Sequence, residues 1–170
     1  EAMQVLATLN VVEARPGAGT FVRRPSFADF LTPETLGLLA LNTRALELLE
    51  AREMIEPPTA RLAAMRGTEE DFAAIERLLA EHEAAMEVGE PVTEHAARFH
   101  VLVAQASHNR IATTVMESIL GVLTARGRKI DGNRTYALQD LTEHAAILAV
   151  LRRRDGDDAY LVVAADKGTA

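Results

Sequence analysis

The sequence predicts an all-α protein, an antiparallel bundle of about six helices preceded by a short helix and a small hairpin. From position 44 almost to the end, apolar residues recur three and four positions apart, which is the period of an amphipathic helix. The segments between these runs are short and contain Gly, Pro, Asp or Asn, so neighbouring helices reverse direction. Aromatic residues make up only 4% and Trp is absent, so small and aliphatic side chains must form the core.

Composition limits the class of protein and the kind of site. The 170 residues suffice for one full domain, or for one domain and a fragment. The absence of cysteine excludes disulfides and thiolate metal sites, and with no long apolar run or leader pattern we expect a cytoplasmic protein. The net charge of −7 argues against a uniformly basic nucleic-acid binder. Residues 1–24, however, hold three arginines against two glutamates, a net of +1, which leaves −8 for the remainder.

The first 24 residues predict a helix followed by a β-hairpin. Residues 1–9 have apolar side chains at helical spacing, and residues 11–14 and 20–22 have the composition of short strands around a Pro- and Gly-containing turn. This order is typical of the second half of a winged helix-turn-helix, whose wing would bring arginines to DNA phosphates or a minor groove. A solvated hairpin with incidental arginines is the alternative. The candidate DNA-contacting residues are Arg15, Gly17, Gly19, Thr20 and Arg23.

The bundle follows a linker at residues 25–43, which contains a short apolar helix near residues 36–41. The first long helix, over residues 44–66, includes Pro57-Pro58, and we expect this pair to kink or divide it because each proline lacks a backbone donor. Thr68 is a hydroxyl cap that precedes three acids and so begins the next helix. The remaining helices are predicted over residues 69–88, 92–106, 110–125 and 135–153, and from Asp155-Gly156-Asp157 to about 167–168.

Three of these helices direct a polar side chain at a shared apolar interior. His100 and His144 each share a helix face with aliphatic residues, and Asp166 follows two valines. An imidazole or carboxylate in such a position is able to bind a metal ion. We expect the other histidines to face solvent: His82, His95 and His108.

Four sequence patches, in order, resemble one known family. They are V-E-A-R-P-G-A-G-T-F-V at 12–22, R-E-M-I-E-P at 52–57 with A-R-L-A-A at 60–64, R-F-H at 98–100 with A-S-H-N at 106–109, and H-A-A-I-L at 144–148. With them, the chain resembles a GntR-type transcription regulator of the FadR subfamily with its all-helical effector domain (FCD). The predicted domains are then part of a winged helix at 1–24, a linker at 25–43, and an effector-binding and dimerisation domain at 44–170.

The resemblance implies a divalent metal in the bundle, because this family often holds one with an Asp and a His one turn apart and two further histidines. His100 and His144 match two of the histidines. Ala96 stands where the Asp belongs, and Asp166 stands where the last His belongs. Two neighbours, Glu94 and His95, are rotated away from the face of His100, and Asp140 is a reserve candidate one turn before His144.

A ligand set of His100, His144 and Asp166 would carry the same charge as the family's set, with one ligand fewer. Two imidazoles and one carboxylate suit zinc or nickel and leave coordination positions for water or an anionic effector. The alternative is that both histidines are hydrogen-bonded core residues, and that the pocket binds its effector without metal.

The resemblance also implies a small carboxylate effector, since family members respond to sugar acids, hydroxy acids, amino acids and fatty-acid derivatives. Arg52 matches an arginine that could clamp such a carboxylate, but an ion pair with Glu56, one turn along the helix, is the slightly favoured interpretation. Asn109 is a second candidate for the effector and is better explained as a helix cap.

The predicted function is a ligand-responsive, homodimeric regulator that binds operator DNA. An enzyme is not expected, because a two-histidine, one-carboxylate iron site usually has two ligands close together on a β scaffold. A stand-alone effector-binding and dimerisation module without DNA binding is the alternative, because the first helices of the winged helix are not in this sequence.

Overall fold

The computed structural model describes residues 1–8, 11–23, 44–125 and 134–165. Within these ranges, seven helices and one two-stranded sheet confirm the all-α prediction. The elements are α1 (Ala2–Thr8), β1 (Val12–Arg15), β2 (Gly19–Val22), α2 (Ala45–Arg66), α3 (Glu69–Val88), α4 (Thr93–Ala106), α5 (Arg110–Ala125), α6 (Arg134–Arg152) and α7 (Gly156–Ala165). The predicted short helix at 36–41 lies outside the described residues.

The N-terminal unit is the predicted helix and hairpin. Strands β1 and β2 pair antiparallel, with Val12 opposite Val22 and Arg15 opposite Gly19. The turn between them requires its glycines, because Gly17 and Gly19 have φ angles of 74° and 101°, which side-chain-bearing residues rarely adopt.

Helix α2 is continuous from Ala45 to Arg66, so the prediction that Pro57-Pro58 would divide it is wrong. Tertiary contacts hold the helix together past the prolines, because its second half packs against α7. The residues at that contact are small and fully buried, which lets the two helices approach closely. They are Ala60, Ala63 and Ala64.

Helix α3 begins where the sequence places it. The backbone N–H of Asp71 donates to the Thr68 hydroxyl at 3.2 Å, and the Thr68 N–H donates to the Asp71 carboxylate at 2.8 Å. This reciprocal pair is a capping box, which satisfies two N–H groups that the helix itself leaves unpaired.

The main core lies between α2, α3, α4, α6 and α7. It is almost entirely aliphatic, with Phe72 and Phe99 as its largest side chains. Both phenylalanines are nearly inaccessible to solvent, which fixes the helices that carry the polar groups described below. Among the described residues, no helix is long and apolar enough to cross a membrane.

Candidate ligand-binding site

Arg52, Glu56 and His100 form a buried hydrogen-bonded group, here called the Arg52 network. Arg52 Nε donates to Glu56 Oε1 at 2.6 Å, and its Nη2 lies 2.9 Å from His100 Nε2. The other ring nitrogen, His100 Nδ1, lies 3.3 Å from Glu56 Oε2. Both sequence interpretations of Arg52 thus have a basis: it is ion-paired with Glu56, and it also contacts the predicted site histidine.

The charges in the Arg52 network are determined by its geometry. A guanidinium has only donors, so His100 Nε2 must accept, and Nδ1 then carries the proton that is donated to Glu56. Burial acts to raise the pKa of Glu56, but His100 and Arg52 outweigh it and hold that pKa at about 2. Glu56 is therefore ionised at neutral pH despite its burial.

A small cavity lies beside the Arg52 network, between α2, α4, α5 and α6. Its volume is about 10 Å³, which is room for about one water molecule. Besides Arg52 and His100, its lining includes Ala96. The cavity therefore adjoins the position at which the family has its Asp side chain. The other lining residues are Thr93, Ala97, Leu120, Leu123, Thr124 and Asp140.

His144 lies next to His100, as the sequence predicts. The two ring centroids are 5.0 Å apart, and the His144 ring stacks on Phe99 at 3.8 Å. Burial lowers the pKa of His144 well below its usual value, and the cation of Arg52 lowers it further. His144 is therefore a neutral imidazole. Its Nδ1 has no hydrogen-bond partner among the described residues.

A second group of buried polar side chains, here called the His82 cluster, contains His82, Asp140 and His144. One nitrogen from each imidazole and one carboxylate oxygen lie within 4.8 Å of one another. His82 Nε2 has no hydrogen-bond partner among the described residues, and His144 Nδ1 is 3.8 Å from Asp140 Oδ2, too far for a hydrogen bond.

The prediction that His82 faces solvent is wrong, and His95, which is partly buried, meets the same prediction only in part. His82 is 1% exposed, and Nδ1 of His95 is buried without a partner, its ring 5.9 Å from that of His82. The signal for His82 was present, because it lies one turn after Leu78 and Leu79 on the apolar stripe of α3. Its acidic neighbours Glu81 and Glu83 concealed that signal.

The described residues do not fit the metal arrangement that the family resemblance implies. Ala96 has no donor atom, and both ring nitrogens of His100 are engaged by Arg52 and Glu56. Asp166 lies outside the described residues. The set of His100, His144 and Asp166 therefore stays a prediction, with its two histidines adjacent in space.

Asn109 caps α5, as the sequence favoured. Its Oδ1 accepts from the backbone N–H groups of Ile111 and Ala112 at 3.1 and 3.3 Å. His108 is half-exposed and contacts the Asp71 carboxylate at 3.0 Å. Neither residue lines the cavity beside Arg52.

In the hairpin, Arg15 lies on β1 with its guanidinium 5.0 Å from the centre of the Phe21 ring. It forms an exposed ion pair with Glu13 at 3.3 Å. Thr20 and the main chain of Arg23 belong to the same hairpin, since Arg23 N donates to Val11 O at 2.8 Å. The candidate DNA-contacting residues thus lie on one small unit.

Comparisons with known proteins identify relatives along the whole chain. The FCD domain model matches residues 47–166. The galactonate operon transcriptional repressor of Escherichia coli (strain K12) is 30% identical over 164 residues, which cover 94% of this chain and 72% of the repressor. The HTH-type transcriptional regulator LutR of Bacillus subtilis (strain 168) is 29% identical over 123 residues, 72% of this chain and 56% of LutR.

Solved structures agree with the fold. Streptococcus agalactiae GntR matches with a TM-score of 0.68 at 23% identity, over 98% of this chain and 76% of that one. Escherichia coli McbR/YncC matches with a TM-score of 0.60 at 18% identity, over 98% of this chain and 77% of that one. At these identities the likeness shows the architecture alone. It extends over the helix and hairpin as well as the bundle.

Proposed function

The chain belongs to the FCD-domain family of GntR-type transcription regulators, and from this membership we propose that its bundle binds a small carboxylate effector through Arg52. Its relatives regulate transcription, so the chain is a regulator and not an enzyme. The assignment to the FadR subfamily, the effector, the operator DNA, the homodimer and a cytoplasmic location are parts of the proposal.

The free donors of Arg52 carry the effector proposal. Nε and Nη2 bond to Glu56 and His100, whereas Nη1 makes no hydrogen bond to any described residue. A guanidinium carries five N–H donors, so two remain on Nη1 for a ligand. Arg52 is 5% exposed and lines the cavity, so a carboxylate reaching it would exchange water for a charge-assisted hydrogen bond.

Binding must open the bundle, because the cavity now admits about one water molecule. The lining residues come from four helices, so a ligand of several carbon atoms has to separate α4 and α5 from α2 and α6. An effector of this kind binds the open arrangement of the helices more tightly than the closed one. Only this difference in affinity can shift the protein from the closed to the open state. The response at DNA follows from the altered geometry of a dimer.

A divalent metal is part of the proposal because FCD domains often bind one. When bound, it would supply a positive charge to which the effector carboxylate coordinates. The ligand set that the family resemblance implies is His100, His144 and Asp166.

A thermal-shift panel of carboxylates tests the effector site. It should include galactonate, the operon substrate in one relative's name, L-lactate, an amino acid and a fatty acid. We expect one class to raise the unfolding midpoint and Arg52→Lys, which keeps the charge but not the planar fork, to abolish the shift. The matched control is Arg61→Lys on the same helix, whose ion pair with Asp157 is exposed. An unchanged shift in Arg52→Lys would refute the proposal.

The hairpin supports the DNA proposal, and a binding titration tests it. Duplexes selected from a random library should bind the protein, and Arg15→Gln should weaken binding at all sequences. The slope of log affinity against log salt should fall by about 1 for each lost phosphate contact. Arg134→Gln, an exposed arginine at the start of α6, is the control. Light scattering on the same samples measures the dimer.

A further inference from the structure

Three imidazole nitrogens in one part of the bundle are buried without a hydrogen-bond partner among the described residues. They are His82 Nε2, His95 Nδ1 and His144 Nδ1. Buried polar atoms in native proteins are nearly always bonded, so a group of unbonded ones requires an explanation. Two of the three face a buried carboxylate, that of Asp140.

Protonation does not explain the unbonded nitrogens. His144 Nδ1 lies 3.8 Å from Asp140 Oδ2, beyond hydrogen-bond distance, so the carboxylate does not satisfy this nitrogen whether or not the ring is protonated. A neutral imidazole has one nitrogen with a free lone pair, which is what a transition metal requires.

We propose that His82, Asp140 and His144 bind a divalent transition metal ion, at a position distinct from that implied by the family resemblance. Two imidazoles and one carboxylate suit zinc or nickel and leave at least one further coordination position. Tetrahedral ligands with bonds of about 2.0–2.2 Å lie roughly 3.4 Å apart. The present separations, all within 4.8 Å, therefore require side-chain shifts of about 1 Å.

The surroundings account for the displaced position. At the family's position, Ala96 replaces the carboxylate, and both ring nitrogens of His100 are already engaged by Arg52 and Glu56, so neither residue offers a free ligand atom. On the other side of His144, Asp140 supplies the carboxylate on α6 and His82 supplies the imidazole on α3. His144 is common to both positions.

Metal titration of the chelator-stripped protein tests the site. We expect calorimetry to show one Zn²⁺ or Ni²⁺ per chain, and His82→Leu or Asp140→Asn to weaken binding at least about 100-fold. His100→Gln and the exposed His108→Ala should leave the affinity within about threefold. His144→Ala does not separate the two positions, because both use that ring. Metal-free His82→Leu should unfold at the same midpoint as the parent or higher, which shows that it is folded.

A second readout identifies the ligands directly. In protein labelled with ¹⁵N-histidine, Zn²⁺ should shift one ring nitrogen of His82 and of His144 and leave both nitrogens of His100 in place. Three results would overturn the proposal: no binding by the parent, unchanged affinity in His82→Leu, or loss of binding in His100→Gln with His82→Leu unaffected. The last would assign the ion to the family's position.

Discussion

The Arg52 network and the His82 cluster lie side by side in the bundle and differ in how their imidazole nitrogens are bonded. In the Arg52 network both nitrogens of His100 are bonded, and the cation of Arg52 matches the carboxylate of Glu56. In the His82 cluster two imidazoles are neutral and unbonded beside a carboxylate. The first group is therefore a matched buried ion pair, and the second holds the two imidazole nitrogens for which we propose a metal ion.

The largest effect should come from removing the carboxylate of the Arg52 network. Glu56→Gln keeps the shape but leaves the buried cation of Arg52 without a counter-charge, which should cost about 3–5 kcal/mol of unfolding free energy. Urea denaturation at pH 7 measures it, with Glu76→Gln as the control, since Glu76 pairs with Arg152 at the surface. A loss below 1 kcal/mol would show that the network is not a stabilising ion pair.

Acid should act on the Arg52 network in a defined window. The pKa of Glu56 is lowered from 4.5 to about 2, so its stabilisation is complete above pH 4.5 and is lost as the pH falls toward 2. The linked change is on the order of 3 kcal/mol. Denaturation at pH 5 and pH 3 should show about 2 kcal/mol of this change, because the rest is lost below pH 3. Glu56→Gln should reduce the difference between the two pH values. An equal difference in both proteins would contradict this pKa.

Replacing a histidine by leucine should change the free energy of unfolding in opposite directions in the two groups. His100→Leu removes one contact from Arg52 and one from Glu56, whose mutual ion pair remains, and should destabilise the protein by about 2 kcal/mol. Metal-free His82→Leu removes an unbonded nitrogen and should stabilise it by about 1–2 kcal/mol. Both are read from denaturation in chelator. Destabilisation by both substitutions to the same degree would remove the distinction between the groups.

Asn109→Ala should have the smallest effect, a loss of about 1 kcal/mol from the missing cap of α5. Because Asn109 does not line the cavity, the thermal shift caused by a carboxylate should be unchanged. A reduced shift would instead return Asn109 to the effector site.

The sequence predicted the local structure well and the polar interior only in part. Thr68 and its acids determine the start of α3 locally, so the capping box could be predicted. The contact between Arg52 and His100 joins residues 48 positions apart, and no local pattern indicates it. The helical period of α3 places His82 on the buried apolar stripe, but its acidic neighbours in the sequence are typical of a solvent-exposed segment. Asp140, a reserve candidate, proved to be buried beside His144.

The proline pair in α2 has a mechanical consequence. Pro57 and Pro58 have no N–H to donate to the carbonyls of Glu53 and Met54, so two successive backbone hydrogen bonds are missing near the centre of the helix. A helix is less stiff where its hydrogen bonds are absent. The half that carries Arg52 can therefore tilt at lower energy than an unbroken helix allows, while the half beyond the prolines stays fixed against α7.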